Sequence, residues 1–394
     1  FPSTLDFQQW FLEPLRGVKN LNEYEVQLSP EDETKLISRL HTMLSPFLLQ
    51  RTKAQVMQHE LPPKLEVTVR VALSAWQQSA YADLQKRTIR LLSVEDKVET
   101  QKVNNTLMQL RKLVLHPYLF LSSYKCDADL YRASGKVEVL DRILGKLLHF
   151  GHKTLIFSQF TSVLDVLCSF LSWRGHEFLR LDGQTSHEER RRRIAAFSEA
   201  GSAARVFLLS SRAGGLGLNL QAADTVILFD LDWNPQNDKQ AIARVHRFGQ
   251  QQEVRVLRLL TESGIERHME QRCREKLELE QKIIGAGMFA KGSSQEQRVD
   301  MLRSVFGLIG GEAVVPAKEE AATSPQDLNR LLARNEKELA TFAEMDAEWR
   351  GRESSGEEAL LVRCGRLMRQ NEVPNGFRLE ADGEEDDGAG GALQ

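Results

Sequence analysis

A doubly wound α/β fold with a parallel sheet is predicted between about residues 134 and 260, and three features predict it. Short, wholly apolar runs recur there, amphipathic helical stretches separate them, and a glycine cluster follows one run at its carboxyl end. Runs that are apolar at every position suit strands covered on both faces. Alternating them with helices implies right-handed crossovers onto a parallel sheet.

The elements follow in order. Residues 1–60 read as mixed helix and loop, ending in LLQRTKAQVMQHELPPK, which Pro62 and Pro63 break. EVTVRVAL (66–73) alternates as a strand should, and Trp76 to Phe120 reads as long amphipathic helices interrupted at His116-Pro117. GKVEVLDRILGKLLHF then puts Val137, Leu140, Ile143, Leu144, Leu147 and Leu148 on one helical stripe, with Gly151 as its stop. TLIFSQF (154–160) is a strand, and SVLDVLCSFLSW is a helix with Val163, Leu167, Phe170 and Leu171 inward. FLRLDG is the next strand. Ser186 and Glu189 have capping-box spacing before HEERRRRIAAF, a helix whose Arg190–Arg193 run reads as solvated while Ile194 and Phe197 pack inward. RVFLLSS, TVILFDLDW and VRVLRLL complete the strands, with a helix at DKQAIARVHRF. Residues 264–285 form one charged helix. A further helix starts at Ser324-Pro325 and carries Leu328, Leu332, Leu339, Phe342 and Met345 on one side. The end, EADGEEDDGAGGALQ, has the composition of a disordered tail.

Composition narrows the function. A net charge of −3 over 394 residues argues against a uniformly basic nucleic-acid binder, so any such contact must come from local patches. Cys126, Cys168, Cys273 and Cys364 lie far apart, without metal-ligand or redox spacing. No apolar run approaches membrane-spanning length, and FPSTLDFQQWF lacks signal-peptide anatomy. Because the chain does not begin with Met, it reads as a fragment or a processed product.

The most informative stretch runs from Leu208 to Gln250. Gly214, Gly215 and Gly217 follow RVFLLSS at its carboxyl end, where open parallel sheets bind ligands and where glycines let backbone N–H groups approach a phosphate or ribose. A plain strand-to-helix turn has the same composition, so this cluster alone leaves both readings open. In DKQAIARVHRF, Arg244 and Arg247 share a helical face with His246 between them. Two adjacent guanidiniums repel unless an anion is their partner, and a transferring γ-phosphoryl group is such an anion. The alternative is a solvated basic face. Gly249 as a sharp helix end, and a buried Phe248 fixing the helix rotation, argue against it.

These residues resemble motifs five and six of superfamily-two motors, in the form used by SWI/SNF-type chromatin-remodelling ATPases. The family pattern runs STRAGGLGLNL, DWNP, QAxDRxHRIGQ, and this chain has SSRAGGLGLNL, DWNP, QAIARVHRFGQ. KTLIFSQF resembles motif four, RLDGQTSHEERRRRIAAF resembles the segment after it, and LLQRTKAQVMQHELPPK and MQLRKLVLHPYLF resemble the linking and protruding helices between two lobes. KIIGAGMFAKGSSQEQRVDMLRSVF and LNRLLARNEKELATFAEMDAEWR resemble the family's histone-anchoring, ATP-coupling segment, and RLMRQNEVPNGF its end.

The resemblance implies a RecA-like helicase C-terminal lobe with helical protrusions and a C-terminal helical extension. Its boundaries would be a first-lobe remnant with linking helices at 1–75, a protrusion at 76–133, the lobe at 134–285, the coupling segment at 286–370 and the acidic tail at 371–394. It implies catalytic roles for Arg244 and Arg247, nucleotide contacts from Gly215, Gly217 and Gln240, and DNA contacts from Ser158, Gln159, Ser210, Ser211, Arg212, Asn219 and Trp233. It further implies ATP and Mg²⁺ held mainly by a first lobe preceding Phe1, double-stranded DNA and nucleosomal histones as partners, a multi-subunit complex, and the nucleus. No metal ligand is expected in this chain. No GxxxxGKS or GKT loop occurs in it, Gly135-Lys136 lacks the flanking residues, and Asp230 at the end of VILFD reads as part of a buried strand. The sequence departs from the pattern at Ala243, usually Asp, and Phe248, usually Ile. Two other functions compete with a duplex translocase: a non-enzymatic chromatin scaffold and a strand-separating helicase.

Overall fold

The computed structural model describes residues 61–94, 100–211, 218–284, 321–354 and 367–374. The chain divides into two compact units, one of residues 1–52 and 277–291, the other of 53–276 and 292–394, and the second holds everything below except residues 277–284. The readings for 1–60, for 286–320 and for the tail from 375 lie outside the described residues.

Six strands form one parallel sheet: β1 (Lys64–Val71), β2 (Thr154–Ser158), β3 (Phe178–Leu181), β4 (Val206–Ser210), β5 (Thr225–Leu228) and β6 (Val254–Thr261), in the order β1-β6-β5-β2-β4-β3. The doubly wound α/β expectation is met, with one correction at its edge. The EVTVRVAL strand lies before residue 134, yet it pairs with β6 from Lys64↔Val254 to Val71↔Thr261. Strand–helix alternation could not reveal this, because two long helices separate β1 from β2.

Those helices are α1 (Ala75–Val94) and α2 (Thr100–Leu115); a 3-10 turn at Pro117–Phe120 and the short α3 (Asp129–Arg132) lead to α4 (Gly135–His149). α5 (Thr161–Arg174), α6 (His187–Ser198), α7 (Pro235–Ile242) and α8 (Gly264–Ile284) follow the later strands, and α9 (Pro325–Leu332) and α10 (Glu336–Ser354) come last. Successive strand residues point to opposite faces, and the cores divide accordingly. Ile156, Leu208, Ile227 and Leu257 face α4, α5, α9 and α10, while Leu155, Phe157, Phe207 and Val256 face α6 and α7. A third core lies at the carboxyl ends of the strands, where α1, α2 and α8 close over Leu231 and Leu260.

Local chemistry fixes several joints. Gly135 begins α4 so close to the turn after β1 that an added Cβ would lie 1.8 Å from the Ala72 carbonyl oxygen. The α4 stripe is buried as expected, and next to it Lys136, 0% exposed, donates to Glu266 Oε1 at 2.5 Å and to the Phe229 carbonyl at 2.8 Å. Burying an ammonium is tolerable only with such partners. Ser186 caps α6 by accepting from the Glu189 N–H. Arg190 departs from the solvated reading of its run: it is buried, whereas Arg192 is exposed.

The single helix expected from Pro325 is two. Asn335 caps a new start: its Oδ1 accepts from the Glu338 N–H and its Nδ2 donates to Glu338 Oε1. The break at 333–335 rotates the register, so Leu328, Leu332 and Phe342 enter the core while Leu339 stays exposed. Lys146 on α4, 0% exposed, pairs with Asp346 at 2.7 Å and donates to Asn329. Arg334 donates to the Asp224 carbonyl and the Thr225 hydroxyl. Apolar burial and buried ion pairs thus dock α9 and α10 on the lobe.

Candidate functional site at the strand ends

Chain connections diverge at the carboxyl ends of β2 and β5. The connection after β2 runs past β4 to β3, and the one after β5 runs the opposite way to β6. Crevices of this kind are where open α/β sheets hold ligands. Gln159 stands there after β2, and Asp232 and Trp233 after β5, with Ser158, Asp230 and Leu231 buried beneath them.

A buried polar network shapes these loops. Asp230 accepts from the Gln159 N–H at 3.0 Å and from the Ser158 hydroxyl at 3.4 Å. Burial pushes its carboxyl up to about 6, against the pull of Lys136, the Gln159 N–H and Arg111. Its oxygens are thus committed to the β2 loop; Asp230 is buried as expected, but it lies two residues beyond β5, which ends at Leu228, and not within the strand. Gln159 Nε2 donates to the Leu231 carbonyl at 2.6 Å. Arg111 of α2 donates to Gln159 Oε1 at 3.0 Å and to the Leu231 carbonyl at 3.3 Å.

The DWNP turn is built to start a helix. Asp232 accepts from the Asn234 N–H and the Asn237 side chain, Asn234 accepts from the Gln236 N–H, and Pro235 takes the first helical position, where its missing N–H costs nothing. α7 therefore starts three residues before the expected DKQAIARVHRF. Trp233 is half-buried against the third core, with His268 at 6.4 Å and Lys276 donating to its carbonyl. Asp238 on α7 is buried near Asp232 and Asp230, and burial pushes its carboxyl up to about 7.

α7 also ends early, at Ile242, and this corrects the shared helical face assigned to Arg244 and Arg247. Both lie on a tight turn instead: Arg244 N–H donates to Ala241, and Val245 and His246 N–H groups donate to Ile242. Phe248, expected to be buried, is 67% exposed; Val245, 0% exposed, anchors the turn in its place. Gly249 adopts φ +94 against Gln221, and Gln250, buried, donates to the carbonyls of Gln221 and Ala223. His246 Nε2 lies 2.9 Å from the Pro62 carbonyl oxygen. These partners stand just before β5 and β1, at the amino-terminal edge of the sheet. Arg247 projects from the turn exposed, and Arg244 is half-buried with its carbonyl accepting from the Leu220 N–H.

The sequence-derived residues thus fall into two groups at opposite ends of the strands. Gln159, Ser210, Ser211 and Trp233 lie toward the carboxyl end; Arg244 and Arg247 lie toward the amino end. Gln240, exposed, stands on α7 between them, and Asn219 is exposed on the approach to β5. Ser158 is fully buried with its hydroxyl on Asp230, and Ser210 is buried too, so both support the crevice from beneath. Arg212, Gly215 and Gly217 lie outside the described residues. Sequence reasoning missed Arg111. Its signal was a lone arginine on the apolar face of α2, beside the buried Leu110, Leu113 and Val114.

Two family profiles match the chain, the SNF2-related domain over residues 1–119 and the helicase conserved C-terminal domain over 135–249. The first match includes β1, α1 and α2, which join the same sheet and packed unit as the second. The chain is 40% identical to the Drosophila melanogaster ATP-dependent helicase brm, over 97% of this chain and 24% of that protein. It is 38% identical to the Schizosaccharomyces pombe SWI/SNF chromatin-remodeling complex subunit snf22, over 97% of this chain and 23% of that one. It therefore spans about a quarter of the length of these relatives. Among solved structures it resembles the Sulfolobus solfataricus SWI2/SNF2 ATPase core in complex with dsDNA, with a TM-score of 0.51 and 27% identity over 77% of this chain and 60% of that one. By these matches and by the parallel RecA-like sheet of its described residues, the chain belongs to the SNF2 family, joining SNF2-related sequence to a helicase conserved C-terminal domain.

Proposed function

We propose that this chain is the second motor lobe of an ATP-driven translocase that moves along double-stranded DNA and remodels nucleosomes in the nucleus, within a multi-subunit complex. The observation that carries the reading is spatial. One short helix, α7, starts directly after Trp233 and ends directly before the Arg244–Arg247 turn. At about 1.5 Å per residue, its eight residues form a rod of roughly 12 Å between a crevice at one end of the sheet and an arginine turn at the other. A lobe that reads nucleotide state at one end and grips DNA at the other needs such a link.

ATP is the substrate. The exposed Arg247 guanidinium on its pinned turn fits a phosphoryl anion, and Arg244 lies beside it. Both are assigned to stabilise the charge that develops during transfer, supplied across the gap from the first lobe. Gly215, Gly217 and Gln240 are assigned to the nucleotide's remaining contacts on this side. Mg²⁺ does not fit this lobe: the Asp230 carboxylate is already bonded to Gln159 and Ser158, and no cluster of three His, Cys, Asp or Glu able to hold a metal exists among the described residues. The ion is assigned to the first lobe.

Gln159, Ser211 and Trp233 at the carboxyl strand ends, together with Arg212 and Asn219, are assigned to phosphate contacts or to bracing them. Sequence-independent tracking needs only such backbone contacts. Closure of the two lobes around ATP would shift this grip along one strand. The SNF2-family sequence from end to end favours nucleosomes as the setting.

Trp233→Ala tests the link. In a protein carrying both lobes, DNA-stimulated ATP turnover should stay within about threefold of wild type while triplex displacement falls about tenfold or more. Because Trp233 is only half-buried, its loss should destabilise the lobe by about 1–3 kcal/mol, less than a core aromatic would. Turnover and displacement falling in parallel with a large loss of melting temperature would make Trp233 a packing residue only.

A further inference from the structure

Arg111 carries an inference that rests on the DNA-crevice reading and goes beyond it. Its residue is 7% exposed, although it is an arginine on a helix remote in sequence from either loop of the crevice. The guanidinium donates to Gln159 Oε1 from the β2 loop and to the Leu231 carbonyl from the β5 loop. It also lies 5.0 Å from the Phe160 ring centroid and 5.9 Å from that of Trp233, one ring from each loop. Asp230, Asp232 and Glu266 are the negative groups around it.

We propose that Arg111 is a positioning residue that clamps the two DNA-facing loops to each other and to the helical protrusion, and so sets the affinity and coupling of the DNA grip. Three physical points support it. A guanidinium is planar with several donors, so one group can bond two loops and stack on rings at once, which a lysine ammonium cannot do. Burial of the charge is costly and is offset here by the surrounding carboxylates, so the group is held in one place. Finally, Gln159 donates to the same Leu231 carbonyl that Arg111 does, so the two loops cannot separate without breaking the Gln159–Leu231 bond and one of the two Arg111 bonds. Since α2 supplies the clamp, a displacement of the protrusion would be felt by both loops together.

The test uses Arg111→Met and Arg111→Lys in a protein carrying both lobes. ATP turnover is measured against the concentration of a short DNA duplex, with triplex displacement and thermal melting alongside. The expected result for Arg111→Met is an increase of about tenfold or more in the DNA concentration giving half-maximal stimulation, with the maximal rate changed by less than about threefold and displacement per ATP reduced. Arg111→Lys, which keeps the charge but not the fork, should rescue only part of this. In a background of Gln159→Ala with Trp233→Ala, Arg111→Lys should add almost nothing, because the clamp has lost what it holds. The inference is overturned if Arg111→Met leaves the DNA dependence and displacement unchanged. It is equally overturned if the maximal rate and melting temperature fall together at unchanged DNA dependence, as for a residue that only supports the fold. Should the Gln159→Ala, Trp233→Ala background itself leave both the half-maximal DNA concentration and triplex displacement unchanged, the DNA-crevice reading fails and this inference falls with it.

Discussion

Asp238 shows how one buried side chain ties stability to pH. Burial raises its carboxyl to about 7, against a hydrogen bond from the Asp232 backbone, and the nearby Asp232 and Asp230 carboxylates repel its charge. A raised acid binds its proton more tightly folded than unfolded, so its contribution favours the fold when protonated. Stability is then lost as pH rises from the ordinary carboxylate range, about 4, through about 7. Asp238→Asn should remove that loss. Relative to wild type, the variant should melt about 3 °C or more higher at pH 8 and gain little at pH 5, as followed by circular dichroism. An equal gain or loss at both values would show that the carboxyl titrates normally. Little of this was legible from sequence, where Asp238 is the first residue of the expected helix DKQAIARVHRF; it lies instead on the inner face of a helix already begun at Pro235. Phe248 failed the opposite way. Its apolar character suggested burial, but the helix that would have rotated it inward stops at Ile242, and Val245 takes the core position.

At the scale of elements, apolar patterning placed most strands and helices and turn chemistry placed their ends. Where that chemistry was overlooked, boundaries moved. Asn234-Pro235 is one helix start and Asn335, accepting from the Glu338 N–H, caps another; missing the first made α7 late, and missing the second fused α9 with α10. Non-local contacts were beyond sequence reach. Nothing around Gly135 announces that the Ala72 carbonyl lies against it. Gly135→Ala should therefore act through two elements at once, pushing α4 away from the turn after β1 and weakening the β1–β6 pairing. A destabilisation on the order of 3 kcal/mol is expected, since backbone on both sides must yield. Chemical denaturation of the chain would measure it, and a loss under about 0.5 kcal/mol would mean that the close approach relaxes freely.

For the whole molecule, the sequence indicated a doubly wound lobe and offered candidate site residues, but not their arrangement. Residue order does not disclose that a strand before residue 134 forms the sheet edge, that α9 and α10 dock on the lobe, or that Gln159 and Trp233 lie at the opposite strand end from Arg244 and Arg247. Those facts depend on which strands become neighbours. They also make the account testable as a unit, because two lobes working across a shared ATP require the arginine turn to act far from the DNA crevice. The most direct measurement is DNA-stimulated ATP turnover by an Arg247→Ala protein carrying both lobes, with nucleotide and DNA affinities measured in parallel. The account predicts a fall in turnover of about 10³ or more with both affinities within about threefold of wild type. Turnover within about twofold of wild type would contradict it, leaving Arg247 an ordinary solvated arginine and the turn no part of the ATP site.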